Sequence, residues 1–262
     1  MATYLDSILA VHREAASHDD RSTDTLVESA RELPPTRGFR DALLGGDTLA
    51  VISEVKRRSP SKGPLAIDLD PATLASSYQT GGASCLSVLT DTDHFGGSVD
   101  DLRAARDAVS LPVLRKDFTV SANDVCDTRL MGADCVLLIA AALDDAELAD
   151  FAALASDLGL DALIEIHDEA ELERALACTS GALIGVNQRD LETFMVDQAR
   201  AVRMAAVMPV HTVRVAESGV RGRDDALALA AAGYHAVLVG EHLVTAPDPG
   251  AALADLRVPR PH

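Results

Sequence analysis

Residues 134–168 read DCVLLIAAALDDAELADFAALASDLGLDALIEIHD and show the plainest sign of the architecture. The stretch begins with a short apolar run, which is typical of a buried strand. An acidic segment then leads into apolar residues spaced three and four apart, the pattern of an amphipathic helix. A second apolar run, DALIEIHD, follows the helix. The pattern therefore predicts one strand–helix–strand unit of a parallel sheet.

The same unit repeats along the chain from residue 48 onward. The predicted strands begin roughly 20–30 residues apart, the usual size of a strand–helix unit. They are TLAVISEVK, SCLSVLTD, LPVLRKDF, DCVLLIAA, DALIEIHD, ALIGVNQRD, HTVRVAES and HAVLVGEH. Eight strands alternating with helices predict an α/β fold, the (β/α)8 TIM barrel. An open doubly wound sheet is the alternative, but its characteristic GxGxxG loop is absent from the sequence.

The first 47 residues precede these units. Helical patterns at about 3–17 and 24–32 are followed by LPPTRGF, a proline-containing connector. We expect residues 1–47 to form an N-terminal helical extension packed on the barrel, and residues 48–262 to form the catalytic barrel domain.

The charge and the hydropathy pattern exclude several functional classes. A net charge of −18 argues against nucleic-acid binding, because a phosphate backbone would be repelled. No apolar run reaches the ~18 residues of a membrane span, and the start lacks the basic region of a signal peptide. We therefore expect a cytoplasmic protein. Aspartate far outnumbers glutamate and lysine is nearly absent, which suggests solubility in high salt, as in halophiles; an acidic mesophilic protein is the alternative.

The cysteines and histidines give no sign of a metal site. The four cysteines form no CxxC pair and have no zinc spacing, and the eight histidines form no HxH or HxxxH cluster. The sequence therefore predicts no metal, and the cysteines are interpreted as small buried residues of a reducing compartment. They are Cys85, Cys126, Cys135 and Cys178.

Polar side chains end five of the eight predicted strands. The C-terminal ends of barrel strands build the active site, and charged groups there are costly unless they pair or serve chemistry. A solvated strand end explains any one of them equally well, but five together favour an active site. The polar ends are Glu54 and Lys56, Lys116 with Phe118, Glu165 with His167, Asn187 with Arg189, and Glu217-Ser218-Gly219.

The use of lysine points to the same strand ends. The chain has three lysines, and an ammonium, unlike a guanidinium, can lose its proton when desolvated. We expect Lys56 and Lys116 to lower each other's pKa by repulsion, with Glu54 opposing that effect. Lys62 lies in a Gly/Pro/Ser-rich loop and is interpreted as having no function.

Residues after strands seven and eight predict a phosphate site. Barrels commonly bind phosphate there through backbone N–H groups. Since the carboxylate of Glu241 would repel an anion, we expect it to point away and leave its backbone N–H to bind. Ser59 either donates a hydroxyl to the same anion or forms a turn. The predicted phosphate-binding residues are Ser218, Gly219, Gly240 and Glu241.

Taken together, the motifs resemble the indole-3-glycerol phosphate synthase family. The resemblance covers about residues 48–245, and MATYLDSIL resembles the family's opening helix. It implies a carbon–carbon lyase of tryptophan biosynthesis that needs no metal or organic cofactor. Such enzymes convert 1-(2-carboxyphenylamino)-1-deoxyribulose 5-phosphate to indole-3-glycerol phosphate and release CO2 and water. The motifs, in family order, are EVKRRSPSKG, SVLTDTDHFGGS, LPVLRKDF, GADCVLLI, LIEIHDEAEL, IGVNQRDLETF, VAESGV and AVLVGEHLV.

The resemblance also implies catalytic roles. Lys116 resembles the general acid that protonates the substrate ketone, and Glu165 resembles the acid/base group of the later dehydration. Glu54 and Lys56 resemble the pair that orients the substrate carboxylate and assists proton transfer. Asn187 is the fifth catalytic candidate. The residues do not settle which glutamate is the general base.

A second group of residues resembles the family's substrate-binding set. Arg189, with Asn187, resembles the groups that hold the anthranilate part and the sugar hydroxyls. Ser59 and Ser218 resemble members of the phosphate cradle, and Glu217 is a further substrate-binding candidate. The apolar walls around the aromatic ring would be Phe95, Phe118, Leu137, Leu191 and Leu238.

Two other functions fit the same barrel. In a Schiff-base aldolase, Lys116 would be the nucleophile in a desolvated site. A non-catalytic phosphate-binding barrel is the other alternative, although it leaves the lysines at the strand ends without a purpose. We expect a phosphorylated small molecule as the binding partner, and we favour a monomer.

Overall fold

The computed structural model describes residues 3–179, 183–190 and 193–261, and eight parallel strands close into a barrel. The last barrel strand pairs with the first, with Ala236 opposite Ala50, so that closure leaves no edge strand. The predicted (β/α)8 barrel is confirmed. The strands are β1 (Ala50–Val55), β2 (Cys85–Leu89), β3 (Val113–Lys116), β4 (Cys135–Ile139), β5 (Asp161–Ile166), β6 (Leu183–Asn187), β7 (Val213–Glu217) and β8 (Ala236–Val239).

Helices precede the barrel and connect its strands. Within the described ranges, no helix is both long and apolar enough to cross a membrane. A 3-10 turn, Ala140–Ala142, follows β4, and the short strands Arg58–Ser59 and Gly63–Pro64 form a hairpin after β1. The helices are α1 (Tyr4–Ser17), α2 (Thr23–Arg31), α3 (Phe39–Leu44), α4 (Pro71–Gly81), α5 (Thr92–Phe95), α6 (Val99–Ala108), α7 (Ala122–Leu130), α8 (Asp145–Asp157), α9 (Glu169–Cys178), α10 (Gln198–Ala205), α11 (Arg223–Ala231), α12 (Glu241–Val244) and α13 (Pro249–Leu256).

Aspartate side chains fix the starts of many helices. Asp144 accepts a hydrogen bond from the Glu147 N–H, and the Glu147 side chain bonds back to the Asp144 N–H, which completes a capping box on α8. Part of the aspartate excess therefore has a local structural cause. The other capping aspartates are Asp70, Asp91, Asp168, Asp197 and Asp248.

The core consists largely of alanine, valine, leucine and isoleucine, as the low aromatic content requires. Tyr78 and Tyr234 are among its largest fully buried side chains. Each buries its ring and still satisfies its hydroxyl: Tyr78 donates to the backbone oxygen of Glu54 at 3.1 Å, and Tyr234 donates to that of Ala201 at 2.7 Å. Three of the four cysteines are buried, and Cys178 is half-buried.

The N-terminal helices reach both ends of the barrel. Helix α1 lies over the C-terminal ends of the strands, where Tyr4, Leu5 and Ile8 border the central cavity. Helix α3, which the sequence analysis missed, buries Phe39 and Leu43. The predicted helical extension before β1 is confirmed, while its treatment as a unit of residues 1–47 stays a prediction.

Two aspartates at the N-terminal ends of β4 and β5 bind the connector before α3 and the first turn of α3. The backbone N–H of Arg37 donates to Asp134 at 2.8 Å, and that of Arg40 donates to Asp161 at 2.8 Å. Asp134 is fully buried and also pairs with the guanidinium of Arg106. These bonds join the extension to the barrel end opposite the strand ends that carry the polar residues.

Candidate active site

A cavity of about 620 Å³ opens at the C-terminal ends of the strands, a volume typical of small-molecule sites. Every predicted site residue within the described part of the chain borders it. Leu191, the remaining prediction, lies outside the described residues. The bordering residues are Glu54, Lys56, Ser59, Phe95, Lys116, Phe118, Leu137, Glu165, Asn187, Arg189, Glu217, Ser218, Gly219, Leu238, Gly240 and Glu241.

Lys116 lies between two buried glutamates at the centre of this cavity. Its Nζ lies 2.8 Å from Oε2 of Glu165 and 3.6 Å from Oε2 of Glu217. The Nδ2 of Asn187 donates to Oε1 of Glu165 at 3.0 Å. Both glutamates are only 2% exposed, so water screens these interactions weakly. Residues of four different strands thereby meet at one point.

The charged groups around Lys116 keep its side chain protonated. Burial lowers the pKa of this lysine, but the charges of Glu165, Glu217 and Glu54 outweigh burial and raise the pKa above its ordinary value. The expectation that repulsion between two lysines would lower this pKa is therefore wrong for Lys116. Three carboxyl groups around one ammonium are the reason, and the result is a lysine that is protonated in the resting cavity.

The two glutamates beside Lys116 favour opposite protonation states. Burial acts against ionisation of Glu165, but Lys116 and His167 outweigh it and lower the pKa of Glu165. Burial and the negative charge of Glu165 raise the pKa of Glu217, and the more distant Lys116 offsets this only in part. Glu165 is therefore the carboxylate and Glu217 the proton carrier. When their environments move the pKa values of two carboxyl groups in opposite directions, one group can act as a base and the other as an acid.

A second lysine–glutamate pair lies across the cavity at the end of β1. Lys56 donates from Nζ to Oε2 of Glu54, which is buried. Their spacing of two along the strand places both on the face that points into the barrel, as the sequence predicts. Gly240 leaves room for the pair, since a β-carbon there would overlap Oε2 of Glu54 and approach Nζ of Lys56 to 2.8 Å.

No role for His167 or Gly185 was expected from the sequence. The Nε2 of His167 lies 3.6 Å from Oε1 of Glu165, and its Nδ1 lies 3.1 Å from Oε2 of Glu171. Burial lowers the pKa of His167, but Glu171 and Glu165 outweigh burial and raise it. The spacing of two between Glu165 and His167 was a usable signal. Gly185 carried none, because a glycine inside a strand has several explanations.

Aromatic side chains form one wall of the cavity and connect it to α1. The ring of Phe118 lies 6.3 Å from that of Phe95 and 5.3 Å from that of His12. Tyr4 makes an edge contact with Phe194 at 5.4 Å between ring centroids. Because α1 supplies Tyr4 and His12, this helix covers part of the cavity opening.

The loop after β7 has the backbone shape expected of an anion site. Ser218 and Gly219 both have positive φ angles, 63° and 77°, which is an uncommon conformation for serine. The side-chain amide of Gln188 donates to the Ser218 carbonyl at 2.8 Å, and that of Gln198 donates to the Gly219 carbonyl at 3.0 Å. The hydroxyl of Ser59 is buried and has no hydrogen-bond partner among the residues that the structure describes, which favours a ligand donor over a turn former.

The carboxylate of Glu241 has a cationic partner. Glu241 borders the cavity, and its Oε1 lies 2.8 Å from Nζ of Lys62, which balances its negative charge. The expectation that this side chain points away from a bound anion stays a prediction. Lys62, interpreted from the sequence as a loop residue without function, has an ion-pair partner at the cavity rim, and whether it has a function stays a prediction.

One cluster in the described residues has the composition of a metal site. Ligand atoms of His12, Asp91 and Asp117 lie within 4.8 Å of one another. Asp117 is already bonded to the guanidinium of Arg115 at 3.0 Å, and Asp91 accepts from the backbone N–H of His94 at 2.7 Å. These bonds give the carboxylates protein partners, so the cluster serves to hold α1 and gives no reason to place a metal there.

Solved structures share the barrel. A thiamine phosphate pyrophosphorylase from Pyrococcus furiosus superposes with a TM-score of 0.58 at 13% identity, covering 79% of this chain and 93% of its own. An N-acetylmannosamine-6-phosphate 2-epimerase from Clostridium perfringens gives a TM-score of 0.58 at 13% identity, covering 76% and 90%. At such low identity these likenesses establish the fold alone.

Sequence comparison identifies the family. The indole-3-glycerol phosphate synthase family model matches residues 5–256. The indole-3-glycerol phosphate synthase of Mycolicibacterium smegmatis is 49% identical over 257 residues, which cover 97% of this chain and 94% of the relative. The enzyme of the same name from Mycolicibacterium vanbaalenii is also 49% identical with the same coverage. With the cavity residues at the strand ends, these matches show that the chain belongs to the indole-3-glycerol phosphate synthase family.

Proposed function

We propose that the chain closes the indole ring of tryptophan biosynthesis by the chemistry that its family resemblance implies. The substrate is 1-(2-carboxyphenylamino)-1-deoxyribulose 5-phosphate, and the products are indole-3-glycerol phosphate, CO2 and water. The observation that carries the assignment of roles is the ammonium of Lys116, which lies 2.8 Å from Glu165 and 3.6 Å from Glu217 in a buried cluster.

Ring closure is assigned to Lys116. The aromatic carbon that bears the carboxylate attacks the ketone carbon, and negative charge develops on the ketone oxygen. A buried ammonium stabilises that charge and transfers a proton to the oxygen. The carboxylate then leaves as CO2, and its bonding electron pair restores the aromatic ring.

The dehydration that follows needs both an acid and a base. Glu165 is assigned as the base, because its lowered pKa keeps it ionised. It removes the proton from the carbon next to nitrogen as the new hydroxyl leaves. Glu217, whose pKa is raised by burial and by Glu165, supplies the proton that converts the hydroxyl to water, directly or by returning it to Lys116.

The rest of the cavity holds and shapes the substrate. The pair of Glu54 and Lys56 orients the substrate carboxylate at the end of β1, and Asn187 with Arg189 holds the anthranilate part and the sugar hydroxyls. The apolar walls remove water from the reacting carboxylate, which favours loss of CO2. The wall residues are Phe95, Phe118, Leu137 and Leu238, with Leu191 as a further prediction.

The terminal phosphate is assigned to the loops that follow β1, β7 and β8. Backbone N–H groups of Gly219 and Gly240 would bind its oxygens, with hydroxyls from Ser59 and Ser218. The left-handed backbone at Ser218 and the unpartnered hydroxyl of Ser59 support this placement.

A Schiff-base aldolase finds no support in this arrangement. Its nucleophile would be neutral Lys116, but the raised pKa of this lysine keeps the amine protonated. No feature of the described residues favours a non-catalytic phosphate-binding barrel either. Reduction with borohydride in the presence of substrate would trap an aldolase adduct, and we expect none.

The assay for the proposed reaction follows the fluorescence of the indole product. We expect the wild-type chain to turn over the anilino-ribulose phosphate and Lys116→Ala to lose at least about a thousandfold in kcat, since both the acid and its charge are removed. Arg31→Ala, at an exposed ion pair with Asp157, is the control and should keep full activity. A well-folded Lys116→Ala variant with near-normal kcat would overturn the assignment.

Three broader properties stay predictions. The monomeric state and the cytoplasmic location are expected from the sequence. Solubility in high salt is supported by the net charge of −18 and the shortage of lysine. Sedimentation, cell fractionation and unfolding at several salt concentrations would test them in turn.

A further inference from the structure

A lysine and a glutamate from distant parts of the chain meet at the rim of the cavity. Lys62 lies at the turn of the hairpin after β1, and Glu241 begins α12 directly after β8 and Gly240. Their charged atoms are 2.8 Å apart, with 57% of the Lys62 side chain and 38% of the Glu241 side chain exposed. Both residues border the cavity, so the pair belongs to its opening.

The position of Glu241 creates an electrostatic problem for a phosphorylated substrate. The residue directly follows Gly240, which is assigned to the phosphate cradle. A carboxylate beside a phosphate dianion repels it, and this repulsion is strong where water is partly excluded. A cradle with an uncompensated carboxylate would therefore bind phosphate poorly.

Several other cations around the cavity have acidic partners of their own. Lys56 bonds to Glu54, Lys116 bonds to Glu165, and the guanidinium of Arg221 lies 3.0 Å from Asp225. Lys62 is the cation that the structure places on Glu241. An exposed ion pair of this kind adds little to stability.

We propose that Lys62 is a positioning residue for substrate capture, whose ammonium neutralises Glu241 so that the rim accepts the substrate's terminal phosphate. The inference rests on the proposed function, because it takes the phosphate as the group that enters beside Gly240. In this role Lys62 acts through Glu241, and it takes no part in the proton transfers at Lys116.

A double-mutant cycle separates this role from direct phosphate binding. The variants are Lys62→Ala, Glu241→Gln and the two combined. For Lys62→Ala we expect KM to rise about tenfold with kcat within about twofold of wild type, because an uncompensated charge at the opening affects binding and not chemistry. Adding Glu241→Gln should return KM to within about threefold of wild type, since the repelling charge is gone.

Two results would overturn the proposal. One is a Lys62→Ala variant with unchanged KM. The other is a double variant as impaired as Lys62→Ala, which would mean that the ammonium contacts phosphate itself. Thermal unfolding of each variant checks that the hairpin change has not weakened the fold, and Lys62→Arg, which keeps the charge, should stay close to wild type.

Binding of inorganic phosphate, measured by calorimetry, keeps this test independent of turnover. The dissociation constant for phosphate should follow the same order as KM: raised in Lys62→Ala and restored in the double variant. If no variant, including wild type, converts the anilino-ribulose substrate while phosphate binding still follows this order, the proposed reaction fails and the role of Lys62 stands. The effect should shrink in ~1 M salt, where the Debye length falls to ~3 Å.

Discussion

The carboxyl group of Glu217 occupies the space that a side chain at Gly185 would fill. A β-carbon at position 185 would overlap Oε1 of Glu217, lie 3.1 Å from its Cδ and lie 3.3 Å from Leu163. Gly185 has no left-handed φ, so glycine is required here to leave space for Glu217 and not to allow an unusual backbone conformation. Because Gly185 pairs with Glu165 on β5, the missing side chain lets two carboxyl groups reach Lys116.

Gly185→Ala should therefore damage catalysis more than binding. Displacing the Glu217 carboxyl disturbs the proton carrier beside Lys116, and misplacement of such a group commonly lowers kcat on the order of ten- to a hundredfold. Steady-state kinetics should show most of the loss in kcat, with a smaller change in KM. Gly46→Ala, where no atom lies within 4 Å of the added carbon, is the matched control. Wild-type kcat in Gly185→Ala would contradict the role given to this space.

Glutamine substitutions should distinguish the two central glutamates. Since Glu165 is ionised and Glu217 carries a proton, a neutral amide keeps the charge of Glu217 only, although it cannot supply the proton of Glu217. We expect Glu165→Gln to lower kcat roughly a hundredfold or more. The fold loss in kcat for Glu217→Gln should be at least about ten times smaller than that for Glu165→Gln. Equal losses at neutral pH would show that the assigned protonation states are wrong.

The pH profile should report the same proton on Glu217. A carboxyl with a raised pKa keeps its proton until the pH passes that pKa, so deprotonation here adds a second negative charge beside Glu165 at alkaline pH. We expect kcat of the wild-type chain to fall on the alkaline side for this reason. In Glu217→Gln this alkaline decline should be absent or moved to higher pH. A decline that is identical in both proteins must come from another group.

Docking of α1 should weaken as pH rises. His12 Nε2 lies 3.2 Å from Oδ2 of Asp91, and this bond raises the pKa of His12 although burial opposes it, with Asp117 adding a smaller effect. A group with a raised folded-state pKa stabilises fully below its unfolded pKa, ~6.5 for histidine, and loses that contribution as pH passes through the folded value. The free energy of unfolding should fall across this window.

His12→Gln tests this linkage through the slope of the unfolding free energy against pH, and not through the absolute value of that free energy. The variant loses the contact with Phe118 at every pH, but the part of the pH dependence that belongs to His12 should vanish. Urea unfolding of both proteins between pH 5 and pH 9, at about half-unit steps, gives the comparison. Parallel curves would mean that the pair of His12 and Asp91 contributes no pH dependence.

The stability of the protein should depend on Asp134, which lies at the end of the barrel opposite the cavity. This fully buried carboxylate accepts from the backbone N–H groups of Arg37 and Val113, each at 2.8 Å, and pairs with Arg106. Removing one partner of a buried ion pair costs about 3–5 kcal/mol of unfolding free energy, so Asp134→Ala should lose about that much. Asp255→Ala, at an exposed pair, should lose less than ~1 kcal/mol in the same denaturant assay.

Salt should stabilise the protein if its acidity reflects a high-salt origin. Forty-one acidic residues against 23 basic ones repel one another at low ionic strength, and added salt screens that repulsion. We expect the unfolding midpoint to drop markedly on dialysis into low salt and to recover when salt is restored. A midpoint that does not depend on salt would favour an ordinary acidic protein.

The sequence by itself determined the barrel and the identity of the cavity residues. Strands alternate their faces with a period of two, and parallel barrel strands all end on the same side, so a polar residue such as Lys116 at a strand end must face the opening. That is why Lys116, Glu165, Asn187 and Glu217 border one cavity, whereas wall residues such as Phe95 were expected from the family resemblance. The short helix α3 was not predicted, because six residues are too few to show a helical periodicity of apolar residues.

Only the tertiary structure decided which charges meet and which protons they keep. The contacts of Lys116 with Glu217, of Lys62 with Glu241 and of Glu217 with the space at Gly185 join strands or loops that are far apart in the chain. Electrostatic energy depends on distance and on burial, and a residue pattern contains neither. For that reason the sequence located the acids and bases, whereas their protonation states followed only from the closed barrel.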